Sequence, residues 1–285
     1  MRRGINRILA LLCVSFLLCG CQGVKETETA KAIEEEEEIR AAFTDGTERE
    51  EREKTEKKSL DAITASDETY DYVVLGNSVT CSVAEGTIWW GNWGMAATSK
   101  DKDYVHLISS WLKEEMERPV TTMVLDLKKW EVSQNRDEIL EKYEGYFGEH
   151  TDLVTIQTGE NITDFKDTLD SDYQNLVAMI RKKAPNAQIL MLGEVLWPSE
   201  DIEAAKKKAC EANGITFVGM EAFLKDYQEV YRSSIGAQVT GADGKMHKIN
   251  DEAVAAHPND KGMACISEQV IKQITIENQS VQDEE

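Results

Sequence analysis

The chain is short of cysteine, of histidine and of positive charge. Its 285 residues hold six cysteines, four histidines and 32 lysines and arginines against 53 acids. Each shortage excludes something. Cys13 and Cys19 lie in an N-terminal apolar segment that Cys21 closes, so only Cys81, Cys210 and Cys265 remain. Three thiols close at most one disulfide, a domain of this size does not need one, and their spacing fits no zinc motif. They are read as buried free thiols. The excess of acids gives a formal net charge of −21 and excludes a nucleic-acid partner, because such a surface repels phosphate. No histidine or acid spacing suggests a metal site, and no glycine-rich phosphate loop with lysine is present, so no cofactor is expected.

What is present begins with Arg2, Arg3 and Arg7 ahead of an apolar run from Ile8 to Leu18. That run is too short to span a bilayer comfortably and reads as an export signal. Leu18-Cys19-Gly20-Cys21 resembles the bacterial lipobox. The resemblance implies removal of residues 1–20 and lipid on Cys21, so the membrane is the expected partner through that lipid. The expected location is outside the cell, anchored to the bacterial cell membrane and facing outward. Residues 21–66 are read as a lipidated, acidic, flexible stalk. From residue 22 onward it carries 14 acids and 8 bases, with too few apolar residues to offset the entropy of ordering it. Residues 279–285 are read as a disordered tail.

Between these lies one domain, 67–278. Short apolar runs at Tyr72–Leu75, Thr122–Leu127, Leu153–Gln157, Ile189–Leu192 and Ile215–Val218 read as strands. Helical patterns at Asp103–Met116, Glu138–Phe147, Tyr173–Lys183, Asp201–Asn213 and Asp260–Ile274 alternate with them, and Gly214 suits a helix C-cap. The alternation predicts an α/β fold, a three-layer α/β/α sandwich with a central parallel sheet. In such sheets ligands bind beyond the carboxyl ends of strands. There stand Gly76-Asn77-Ser78 after the first strand, Gly159-Glu160-Asn161 after the third and His257-Pro258-Asn259 before the last helix. Each alone is more often a cap or a turn than a site.

Together with Gly91-Asn92-Trp93-Gly94-Met95-Ala96, and in this order, the motifs resemble the four blocks of the SGNH/GDSL hydrolases over residues 71 to about 274. The resemblance implies a flavodoxin-like hydrolase fold and ester chemistry. It makes Ser78 the nucleophile and His257 its base. The oxyanion donors it implies are the N–H of Ser78, the N–H of Gly94 and the side-chain amide of Asn161, with Gly91 competing for the glycine's place. The chemistry fits those residue types. A serine hydroxyl needs a base to become nucleophilic, histidine titrates near neutrality, and a tetrahedral intermediate needs fixed donors. An α/β-hydrolase elbow is excluded, since position 80 is Thr and Ser78 follows the first strand.

Asn77 stands where the family's first block has Asp, and one further departure bears on the chemistry. Three residues before His257, where an aspartate is usual, stands Val254. Asp251 or Glu252 reaches the ring if the intervening segment loops. Otherwise a backbone carbonyl holds His257 in a Ser–His dyad, or activity is reduced or lost. His106 reads as a packed core residue, His150 as a helix end and His247 as a candidate cleft border. Cys81 is expected on a helix after Ser78. Trp89, Trp90 and Trp93 either stack on a sugar or pack their loop. Three function classes follow: a deacylase acting on an ester or acylated glycan, a transferase passing the acyl group to a sugar hydroxyl, and a non-catalytic glycan binder.

Overall fold

The computed structural model describes residues 68–84 and 86–276; the export signal, Cys21, the stalk and the 279–285 tail lie outside the described residues. The elements run β1 (Tyr70–Gly76), α1 (Tyr104–Glu115), β2 (Val120–Asp126), α2 (Lys128–Glu131), α3 (Arg136–Leu140), β3 (Thr151–Gln157), α4 (Leu169–Lys183) and β4 (Gln188–Leu192). Then come α5 (Glu200–Asn213), β5 (Thr216–Val218), α6 (Glu221–Asp226), β6 (Gln238–Thr240), β7 (Met246–Lys248), α7 (Glu252–Ala255) and α8 (Asp260–Ile271).

β1 is buried along its whole length, so both faces of the sheet around it are covered. Successive side chains of a strand point to opposite faces. Tyr72 and Val74 enter one core with Val105, Ile108 and Leu112 of α1 and Met263, Ile266 and Val270 of α8. Val73 and Leu75 enter the other with Leu176, Val177 and Ile180 of α4 and Ile202, Ala205 and Ala209 of α5. Three layers result, as the alternation of elements predicts. The five strands are parallel in the order β2-β1-β3-β4-β5, the flavodoxin-like arrangement. Gly76 lies level with Asp126 on one side and with Gln157 on the other. The segments leaving β1, β2 and β3 therefore start side by side at the carboxyl edge.

Two local expectations are corrected. The helix expected over Glu138–Phe147 is the short α3, which ends at Leu140, followed by a 3-10 turn at Glu144–Tyr146. Gly145 and Gly148 fall within or beside that stretch, and glycine is costly to hold in a helix. Cys81 is not on a helix: its N–H closes a single turn onto Asn77 O, after which the chain runs irregularly. The antiparallel β6–β7 hairpin was not expected, since its three-residue strands are mostly exposed and polar.

Candidate active site

Gly76 ends β1 where the chain folds back on itself. A Cβ there would lie 1.9 Å from Thr80 Oγ1, so only glycine permits the turn. Asn77 O accepts from the N–H groups of Thr80 and Cys81, both at 2.8 Å, and Asn77 Oδ1 accepts from Val79 N–H at 3.1 Å. Thr80 Oγ1 donates to Gln157 Oε1 at 3.1 Å and accepts from Tyr104 O–H at 2.7 Å. The turn thus holds Ser78 at the mouth of the sheet by bonds to β3 and α1. Among the described residues the Ser78 N–H has no hydrogen-bond partner.

His257 follows α7 and reaches Ser78: Nε2 is 2.8 Å from Oγ. Its Nδ1 is 2.8 Å from the carbonyl oxygen of Ala253. A carbonyl only accepts, so Nδ1 carries the proton and the Nε2 lone pair faces the serine hydroxyl. The ring is buried, and burial lowers its pKa to about 4 against the opposing pull of the Ala253 and Val254 backbone and the charge of Asp251. At neutral pH the imidazole is uncharged and able to accept a proton.

The orienting acid is corrected. Asp251 Oδ1 caps α7, accepting from Ala253 N–H at 2.8 Å and Val254 N–H at 3.1 Å, while Glu252 is exposed in the first turn. Neither carboxylate bonds the ring, and Val254 is buried in the core. Asp251 acts one step away, by holding the turn that presents the Ala253 carbonyl. Asp251→Asn keeps an N-cap acceptor and should leave turnover near wild type, whereas Asp251→Ala should cost about 1 kcal/mol of stability. A loss of orders of magnitude in the Asn variant would restore the acid to the ring. The His257 segment is clasped from its other side by Tyr227 O–H on Ala256 O, Ser233 N–H on His257 O at 2.9 Å and Asn259 N–H on Tyr231 O at 2.7 Å.

Gly94 is also corrected. Its N–H donates to Asp103 Oδ2 at 2.9 Å, so it is not available to an oxyanion. A Cβ there would meet the Val79 carbonyl oxygen at 2.5 Å, and the next residue, Met95, donates to Ser78 O at 2.8 Å. Gly94 therefore lets its loop press against the Ser78 turn. Gly91 makes room for the Trp93 ring, whose atoms a Cβ would meet at 2.5 Å.

Asn161 stands beyond β3 and donates through Nδ2 to Glu131 Oε2 at 2.5 Å, leaving the second hydrogen of that amide. The sequence reading missed Glu131, which no motif marks. It is fully buried, and its Oε1 accepts from Asn77 Nδ2 at 2.9 Å and from Gly159 N–H. Glu160 is its neighbour, accepting from Asn77 Nδ2 at 3.1 Å and from Val195 N–H at 2.7 Å. Burial first and the charge of Glu160 second push the Glu131 carboxyl up to about 7.

The remaining candidates serve packing. Trp89 and Trp93 are buried edge to face, with ring centroids 5.8 Å apart. Trp90 stacks on His247 at 4.5 Å, and His247 Nε2 lies 3.0 Å from Asp243 Oδ1. His106 is only part-buried and bonds Asp103 at 2.7 Å, and His150 lies in a turn ahead of β3, not at a helix end. Burial pushes the Cys81 thiol up to about 12, which makes it a poor nucleophile.

No protein-family model and no curated protein matches the chain. Solved structures do overlap it. An extracellular lipase from Streptomyces rimosus is 17% identical with a TM-score of 0.45, over 72% of this chain and 100% of the lipase. A phospholipase A1 from Streptomyces albidoflavus is 14% identical with a TM-score of 0.47, over 72% of this chain and 99% of the phospholipase. A two-domain esterase active on acetylated mannans is 15% identical with a TM-score of 0.44, over 80% of this chain and 55% of the esterase.

Proposed function

We propose that the chain is a serine esterase that removes acyl groups, acetyl among them, from a glycan or another surface substrate through an acyl-enzyme on Ser78. The observation that carries this is the His257 ring between Ser78 Oγ and the Ala253 carbonyl, each at 2.8 Å, with its accepting nitrogen toward the serine. Ser78 Oγ attacks the ester carbonyl while its proton passes to Nε2. The oxyanion is met by the free N–H of Ser78 and the second hydrogen of the Asn161 amide. The intermediate collapses, and the imidazolium returns the proton to the departing alkoxide. Water then attacks the acyl carbon while its proton passes to Nε2; the Oγ–acyl bond breaks, the imidazolium returns the proton to Ser78 Oγ, and the acid leaves.

The site of action in this reading is the outer face of the bacterial cell membrane, with Cys21 lipidated. Cys21→Ala should move the protein from the membrane fraction to the soluble fraction, since the apolar run ahead of it is too short to hold it alone. Sedimentation of the variant with membranes in high salt would refute the anchor. The enzyme reading is tested on the full chain by hydrolysis of short-chain nitrophenyl esters, by acetate release from acetylated glycans and by fluorophosphonate labelling. An adduct on Ser78 is expected. Turnover with no adduct, or an adduct elsewhere, would overturn it.

A further inference from the structure

Asn161 and Asn77 are far apart in sequence, yet both side chains end on one carboxylate. Glu131 Oε2 takes Asn161 Nδ2 at 2.5 Å, and Oε1 takes Asn77 Nδ2 at 2.9 Å together with the N–H of Gly159. Every group hydrogen-bonded to this carboxylate is a donor. The backbone under it is fixed as well. Leu127 N–H donates to Gly76 O at 2.6 Å, which sets α2 beside the end of β1. Arg136, itself buried, donates to Glu131 O at 3.0 Å while bonding Phe165 O at 2.9 Å and Asp172 at 2.7 Å.

An asparagine amide can be turned over at little cost, presenting oxygen where nitrogen stood. Toward an ionised carboxylate, which only accepts, it cannot, so Glu131 with its proton off dictates which end of Asn161 faces which way. We propose that Glu131 is a positioning residue: it holds the Asn161 amide with one N–H toward itself and the other toward the reacting carbonyl, and locks that amide to the Asn77 turn that carries the nucleophile. This rests on the esterase reading above and names a group that no motif marks. A turned amide would point its oxygen at the oxyanion and repel it.

Two effects oppose each other. The charge on Glu131 disfavours an oxyanion nearby, and the orientation of Asn161 favours it. The donors decide the balance. A protonated or amide side chain at position 131 keeps one acceptor oxygen for Asn77 and Gly159 but can present a hydrogen toward Asn161, whose amide would then be freed to turn. The ionisable groups around Glu131 are Glu160 and Tyr173, the Arg136 guanidinium on its backbone, and Glu194 and Lys206 beyond Glu160. None of these offers Asn161 a substitute acceptor.

The test is a double-mutant cycle on the full chain, with Glu131→Gln, Asn161→Ala and the pair, and with kcat and KM measured separately. Gln is isosteric and removes a charge that burial already disfavours, so folding should survive; Glu131→Asp, which keeps the charge but withdraws the oxygens, is the second variant. Glu131→Gln should lower kcat about tenfold with KM little changed, less than the 10²–10³ expected when Asn161 itself is lost. In the Asn161→Ala background the same change should cost nothing further. Glu131→Asp should fall with Gln, because the role needs an acceptor oxygen at the Asn161 amide: Asp withdraws it, and Gln can turn a hydrogen toward it. Additive losses, or a rise in kcat in Glu131→Gln, would overturn the role of Glu131 while leaving the esterase standing. Undiminished activity in Ser78→Ala would overturn the esterase and this role with it.

Discussion

Ser78→Ala is expected to abolish acyl-enzyme formation and to lower turnover by on the order of 10⁴ or more, and His257→Ala should lose nearly as much. No neighbouring group replaces the hydroxyl: the thiol nearest in sequence, Cys81, is part-buried, and desolvation raises its pKa to about 12. The base is equally hard to replace, since the atom across the ring from Ser78 is a carbonyl oxygen that takes up no proton. The two side chains form one proton-transfer unit at 2.8 Å, so their losses should not add. The double variant should match the worse single one. Some rate above background should remain in all three, because Ser78 N–H and Asn161 still polarise a bound carbonyl. Rates of ester hydrolysis and fluorophosphonate labelling, measured beside thermal unfolding, read this directly. Equal turnover in wild type and Ser78→Ala would remove Ser78 from the mechanism.

Asn77→Asp should unfold the protein more readily, although aspartate is the usual residue before the serine in the family the motifs resemble. Asn77 Nδ2 donates to two carboxylates at once, Glu131 Oε1 at 2.9 Å and Glu160 Oε2 at 3.1 Å. An aspartate there would remove both donors and bring a third carboxyl into a closed site. Losing a hydrogen bond to a buried carboxylate costs roughly 1.5–3 kcal/mol. The pH dependence follows from the same geometry. Crowding would raise the pKa of the new carboxyl above its unfolded value of roughly 4, so the folded state would hold the extra proton. That relief is present at low pH and is lost as pH rises through the raised value. The variant should therefore lag wild type more at pH 8 than at pH 5 in denaturant midpoint. Equal midpoints at pH 8 would mean that Asn77 does not separate the two glutamates.

The sheet was legible because its signal is local. Tyr72-Val73-Val74-Leu75 is apolar on both faces, and only a central strand needs that. Gly214 marks the end of α5 by adopting a left-handed φ of 60°, which side chains resist. Ser78 and His257 were legible as motif residues standing next to a strand end and a helix start. The apolar spacing of Ile139, Leu140, Tyr143 and Tyr146 misled, because it is helical in pattern but interrupted by glycine. Gly94 misled in another way. Its glycine is required by the Val79 carbonyl, so the residue type was read correctly and its purpose was not. Glu131 left no trace at all. It meets Asn77 across 54 residues and Asn161 across 30, and no spacing rule joins positions that only the order β2-β1-β3 brings together.

The Ala253 carbonyl has one further consequence, for how the site tolerates mutation. An orienting aspartate is a side chain, and a single codon change deletes it. A carbonyl belongs to the backbone and survives every substitution at its own position. Ala253 is exposed, so its side chain is free to vary while the oxygen stays 2.8 Å from His257 Nδ1. What can be lost instead is the short helix that aims it, α7, whose first turn is capped by Asp251 and whose Val254 is anchored in the core. The machinery's vulnerable target has moved from one catalytic acid to a few positions that shape a turn, where most changes are partial and few are fatal.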